Sequence, residues 1–330
     1  MKKITFLLVG AALALAACSK TETVNGPSVD AIGFDGAYIG NPTDSRAVTT
    51  IDNSISTFQV YGQYTKDGAQ AVKVFGDEKG GVEVSKQTSG SWTYTGGLRP
   101  WIEGAAYVFA GYAPKNAAAP KVNAEGYLTW ENYDVSANQY DLIYASQTAT
   151  GQKTGNQQVG FTFNHLLSIV GFTFKSGFDA NTKLTISNVT VNSVPSTATF
   201  TPDNSVTASG NIGGSWGAAS DPKNYSLTIA AITEAEGSSS NNFFAIPQAV
   251  PSIEVSFNVM VTTLAGEELV NSKSFTTKVP VGTVTKWNPG YKYNYVATIT
   301  PESLELEYIQ FGDPTVTNWE EAADETLPLQ

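Results

Sequence analysis

The chain has 330 residues, a formal net charge of −11, only 15% charged residues and one cysteine. That length suffices for two domains with proper cores. The negative charge argues against nucleic acid or anionic headgroups as partners. A lone cysteine excludes an intrachain disulfide and a cysteine-based metal site. The composition is rich in Thr, Ser, Asn, Gly and aromatics, which suits pleated strands and turns more than helices.

Three signals follow one another at the N-terminus. Met1-Lys2-Lys3 and the apolar run Ile4 to Ala17 are too short to span a bilayer and fit a secretory signal. It ends in Leu15-Ala16-Ala17-Cys18, which resembles the bacterial lipobox, where cleavage precedes a cysteine whose thiol is then lipidated. Residues 1–17 are expected to be removed, and lipid on Cys18 to hold an exported body on the outer membrane. After a polar tether, Ile32, Phe34 and Tyr38 share one parity, with Gly36 between them. The spacing predicts a short strand over 29–39, weakened by its glycines. A turn-rich loop, Gly40-Asn-Pro-Thr-Asp-Ser-Arg46, leads into Ala47.

Beyond the loop, strand signals recur at short intervals. Phe58, Val60 and Tyr64 alternate, and runs follow at 72–74, 82–84, 92–94, 107–109 and 140–144, most of them separated by Gly, Asp or Pro. The polar stretch 148–158 is the expected linker, dividing the chain into 47–157 and 158–330. Val159, Phe161 and Phe163 then alternate on odd positions, and Leu166, Val170, Phe172 and Phe174 on even ones. That parity flip near His165 predicts a turn or bulge. The cleanest strand is Ile253 to Val261, with five apolar residues in strict alternation; Tyr291, Tyr293 and Tyr295 follow later. No window of ten or more residues holds a convincing 3.6-residue period. The fold class is therefore all-β, as two consecutive sandwich-like halves.

Several segments together carry a resemblance. Val159-Gly-Phe-Thr-Phe-Asn-His-Leu-Leu-Ser-Ile-Val-Gly-Phe-Thr-Phe174, Phe244-Ala-Ile-Pro-Gln248 and Trp287-Asn-Pro-Gly-Tyr-Lys-Tyr-Asn-Tyr295 resemble, in order, segments of Bacteroidetes fimbrillin-family proteins. The lipobox, Ile32-Gly-Phe34 followed by Arg46, and Phe58-x-Val-Tyr-Gly62 extend the likeness over nearly the whole chain. The resemblance implies a type V pilin or fimbrial component of the cell surface, with two transthyretin-like β-sandwich domains. It implies a lipidated propeptide, 18–46, whose strand is lost when an arginine-specific protease cuts the following loop. The emptied groove would then take a C-terminal strand from the next subunit. Such a head-to-tail contact does not close on itself and builds a filament.

The residues bear on that scheme independently. Arginine occurs only at 46 and 99, against 17 lysines. Arg99 precedes Pro100, a poor fit for a trypsin-like cleft, whereas Arg46 precedes small Ala47 in a predicted loop. The candidate donor strand lies within 303–319, with Leu304, Leu306, Tyr308 and Phe311 as its apolar residues. An ordinary closing strand of the second half fits the same alternation. No catalytic constellation is present: His165 is the only histidine, and Asp77-Glu78, Glu267-Glu268 and Glu320-Glu321 are adjacent carboxylates that a strand would point to opposite faces. The chain is read as no enzyme, with no cofactor and no metal. Two functions remain open. One is a structural subunit that polymerises with copies of itself or related pilins for adhesion and biofilm. The other is a monomeric surface lipoprotein or tip adhesin that binds glycans or host proteins, with the six tryptophans as candidate stacking residues.

Overall fold

The computed structural model describes residues 31–39, 55–76, 80–153, 157–203, 213–232 and 237–318. Its first half carries β1 (Gly33–Ile39), β2 (Thr57–Thr65), β3 (Val72–Phe75), β4 (Val82–Lys86), β5 (Trp92–Tyr94), β6 (Ala106–Ala113), β7 (Lys121–Val122), β8 (Leu128–Asp134), β9 (Ile143–Thr150) and β10 (Gln158–His165). The second carries β11 (Ser168–Ser176), β12 (Thr182–Pro202), β13 (Gly214–Trp216), β14 (Ser220–Leu227), β15 (Ser238–Ser239), β16 (Phe243–Ala245), β17 (Glu254–Thr263), β18 (Glu268–Lys278), β19 (Tyr291–Ile299), α1 (Pro301–Glu305) and β20 (Thr315–Asn318). The fold is all-β, with sheets packed in a sandwich- and barrel-like arrangement.

Three sheets form. The first runs β1-β10-β9-β6-β2-β4-β5, with β3 beside β2. The second runs β15-β11-β19-β20, with β16 on β11, and the third β18-β17-β12-β8-β7, with β13 and β14 on β12. Alternation decides which faces meet. On β6, Tyr107 and Phe109 enter one core while Ala110 and Tyr112 enter another, so this strand is buried on both faces. Its second face meets Leu128, Trp130 and Phe200 of the third sheet. On β17, Val255, Phe257, Val259 and Val261 all point into a further core, shared with Phe172, Tyr295 and Phe311.

The predicted linker is structured differently. β9 runs to Thr150, and β10 pairs back onto β1 and β9. The change of sheet comes instead between β10 and β11, at Leu166 and Leu167, both fully buried. The parity flip seen in the sequence marks this handover. His165 sits at its edge, its Nδ1 2.8 Å from Oδ1 of Asp141. β8, from the first half of the chain, pairs with β12 of the second.

β12 was legible only as the separate runs Leu184/Ile186 and Val189/Val191. It is one strand of 21 residues. Its ladder shifts register between Ser187 and Thr190 and again between Val191 and Val194, with Asn188 and Ser193 in the left-handed region. These bulges bend the strand without ending it. Leu184 to Val194 fill the core of β17, and Ala198 and Phe200 fill the core of β8.

Buried phenols make these cores sensitive to alkali. The Tyr225 hydroxyl lies 2.8 Å from Ser196 Oγ, and burial pushes its pKa up to about 12. Burial likewise raises Tyr295, whose hydroxyl accepts from Trp287 Nε1 at 3.0 Å, to about 12. Both pKa values are raised in the folded state, so this contribution is complete below the unfolded value of about 10 and declines from there toward 12. Urea midpoints are expected to hold to about pH 9 and fall between pH 10 and 12, and Tyr225→Phe should shallow that fall. A midpoint that is flat across this window would contradict the assignment.

Candidate functional site

The first sheet curls until its two end strands, β1 and β5, approach each other. β1 closes the seam. Among the described residues its ladder runs parallel to β10 alone, from Gly33 opposite Gln158 to Ile39 opposite Phe163. Toward β5 it is joined by isolated contacts. Ile32 N–H donates to the Arg99 carbonyl at 2.8 Å, Ala31 bridges Pro100, and the Tyr94 hydroxyl donates to the Ile32 carbonyl at 2.8 Å. Burial raises the Tyr94 pKa still further above neutrality. Beside these contacts a cleft of about 180 Å³ opens between Phe34, Asp35, Trp92 and Tyr94.

Phe34, Ala37 and Ile39 of β1, and Ile32 just before it, are core residues. Ile32 is fully buried, and Phe34 stacks on Phe161 with ring centroids 6.1 Å apart. The same ring meets Phe75 edge-on at 5.5 Å, Phe58 at 5.7 Å and Tyr94 at 6.0 Å. The predicted single parity holds only as far as Phe34. Register shifts between Phe34 and Gly36, leaving Asp35 as the extra, exposed residue. After the bulge the buried side chains are Ala37 and Ile39. Tyr38 lies in β1, and the orientation of its side chain is outside what the structure describes. The single parity of Ile32, Phe34 and Tyr38 in the sequence carries no sign of the break that turns Ala37 and Ile39 inward.

Cys18, Arg46 and Ala47 lie outside the described residues. Arg99, the other arginine, is a packing residue of the seam: its guanidinium lies 4.6 Å from the Phe75 ring and 5.2 Å from Tyr94. Such cation–π contacts sit on the same aromatic cluster that holds Phe34.

The candidate donor segment is not a strand over 303–311. Thr300 caps α1 through a capping box with Ser303, and Pro301 occupies the first turn. Helix-start chemistry overrides the alternation of Leu304, Leu306 and Tyr308. Leu304 and Phe311 are buried together with Ile309, while Leu306 and Tyr308 are exposed. Phe311 meets Phe172 at 5.1 Å and Phe174 at 5.4 Å. Only β20 within 303–319 is extended, pairing antiparallel with β19 as an edge strand.

Among the described residues the tryptophans do not form a sugar platform. Trp92, Trp101, Trp130 and Trp287 are buried, and Trp216 is half-buried with its Nε1 donating to the Leu166 carbonyl at 2.7 Å. Trp319 lies outside the described residues. Among the described residues no cluster of His, Cys, Asp and Glu is arranged to hold a metal ion.

A β-fold whose seam is closed by an apolar, singly laddered strand is the setting in which comparison with known proteins becomes informative. Residues 45–319 match the family model described as fimbrillin-like. The chain belongs to the fimbrillin-like family. That membership supports a pilus-subunit or adhesion role at the cell surface. A fimbrial protein from Bacteroides vulgatus has a similar structure, with a TM-score of 0.57 at 15% identity, covering 88% of this chain and 99% of its own. A protein from Bacteroides ovatus assigned to cell adhesion gives a TM-score of 0.54 at 17% identity, covering 89% and 99%. At these identities the likeness speaks for the fold. No match was found among the curated proteins.

Proposed function

We propose that the chain is a fimbrial subunit, exported as a precursor lipidated at Cys18, cut after Arg46 by an arginine-specific protease, and joined to its neighbours by strand exchange on a transthyretin-like scaffold. The observation that carries this reading is the setting of β1. Phe34, Ala37 and Ile39 are core residues, yet among the described residues only one edge of the β1 backbone forms a ladder.

While residues 40–54 connect β1 to the body, β1 is held at high effective concentration and rebinds after each opening. Cutting after Arg46 would remove that tether and leave β1, part of the 18–46 propeptide, held to the body by noncovalent contacts alone. Loss of β1 would expose the β10 edge and the apolar slot beneath it, and a strand from another subunit satisfies both at once. The donor is assigned to 303–319, where β20 is the more accessible part, with Val316 exposed. The second reading, a tip adhesin or monomeric surface lipoprotein, is favoured by one observation. Leu304, Ile309 and Phe311 are built into the chain's own core and are not free to leave it cheaply.

The test treats purified precursor with an arginine-specific protease and looks for ladders that resist mild SDS. The wild-type chain should form them and Arg46→Ala should stay monomeric. Ladders of equal strength from the variant would refute cleavage at this site. A cut wild-type chain that remains monomeric would favour the second reading.

A further inference from the structure

We propose that the groove under β1 selects its strand by a broken alternation: apolar residues at i, i+2, i+5 and i+7, with one extra residue after the second. This rests on the strand-exchange reading and specifies the partner that the groove would take. The groove is lined on one side by β10, where Val159, Phe161 and Phe163 are buried at even spacing. The strand it holds is not evenly spaced. Ile32 and Phe34 enter the core, Asp35 bulges outward, and Ala37 and Ile39 re-enter.

A one-residue change in a strand sends every following side chain to the opposite face. An evenly alternating strand seated with its second apolar residue opposite Val159, as Phe34 is, would therefore meet the second half of the groove out of phase. The bulge re-aims that half. The two halves also differ in size. The deep site beside Phe58, Phe75 and Tyr94 holds an aromatic ring, whereas the position after the bulge holds only a methyl.

The occupant is thus an apolar strand of a neighbouring subunit with this interrupted spacing. Between residues 300 and 330 the spacing occurs once, at Leu304, Leu306, Ile309 and Phe311. A second copy therefore carries a matching stretch, although offering it would withdraw three side chains from that copy's own core. Because the spacing reads the same in either direction, it sets register without setting polarity.

Two measurements test this. In the intact chain, deletion of Asp35 restores strict alternation, while Asp35→Asn keeps the bulge. Deletion should lower the melting temperature by at least about 5 °C and Asp35→Asn should leave it nearly unchanged. In chain cut after Arg46, labelled peptides of the 31–39 sequence with and without Asp35 compete with the resident strand, read by fluorescence anisotropy. The natural spacing should bind roughly tenfold tighter or better. Equal capture of both peptides, or an unchanged melting temperature on deletion, overturns the selection rule. If the deletion destabilises the intact chain but neither peptide enters the cut one, strand exchange itself fails, and this proposal about its partner fails with it.

Discussion

Phe34→Ala is expected to cost about 3–5 kcal/mol, the range for emptying a well-packed aromatic site. Phe34 is buried against four other rings, from Phe58, Phe75, Tyr94 and Phe161. Among the described residues the strand that carries it has one ladder, so the ring is a large part of what holds β1. Urea denaturation of the uncut chain checks this, with Trp92 and Trp101 of the same core as reporters. A loss under about 1 kcal/mol would mean that the seam closes without its central residue. The proposed function adds a second expectation: the variant, once cut, should release its propeptide fragment faster than wild type.

Phe311→Ala should cost about as much, roughly 3–5 kcal/mol, whereas Tyr308→Ala should stay within about 0.5 kcal/mol. The contrast follows from α1 and the loop after it. Strict alternation would group Leu304, Leu306 and Tyr308 on one face and leave Phe311 on the other. The structure buries Leu304, Ile309 and Phe311, and leaves Tyr308 60% exposed. The Phe311 ring also lies 6.4 Å from Phe257, tying the end of the chain to the strongest strand of the third sheet. A reversed contrast, with Tyr308→Ala costly and Phe311→Ala nearly neutral, would show that the segment is extended in solution. That result would restore the donor assignment for 303–311.

Much of the architecture was legible because period-two burial is local. β10 and β17 bury the residues their alternation names, β19 buries Tyr293 and Tyr295 with Tyr291 half-buried, and the flip near His165 corresponds to a change of sheet. What escaped has physical causes. β12 contains Pro195, paired opposite Pro222, and two left-handed residues, all of which read as breaks in a one-dimensional pattern. The pairing of β8 with β12 spans more than sixty residues and has no local signature. Over 301–305 two local signals competed, and the capping box prevailed over the alternation. At the seam Ile32 and Phe34 were readable, while Ala37 and Ile39 were hidden behind the single extra residue Asp35. Tyr94 and Arg99 could not have been found from spacing, since each reaches β1 through contacts distant in sequence.

The length of β12 has a mechanical consequence. At about 3.3 Å per residue a strand of 21 residues reaches roughly 65 Å, bends aside. It carries side chains of two cores on one unbroken backbone. Tension applied between those cores passes along covalent bonds, and the ladders to β17 and β8 are loaded in shear, many hydrogen bonds at once. There is no flexible tether between these cores along β12 to extend first. A body built this way resists stretching until its sheets fail together, a useful property in anything that must hold a cell against flow.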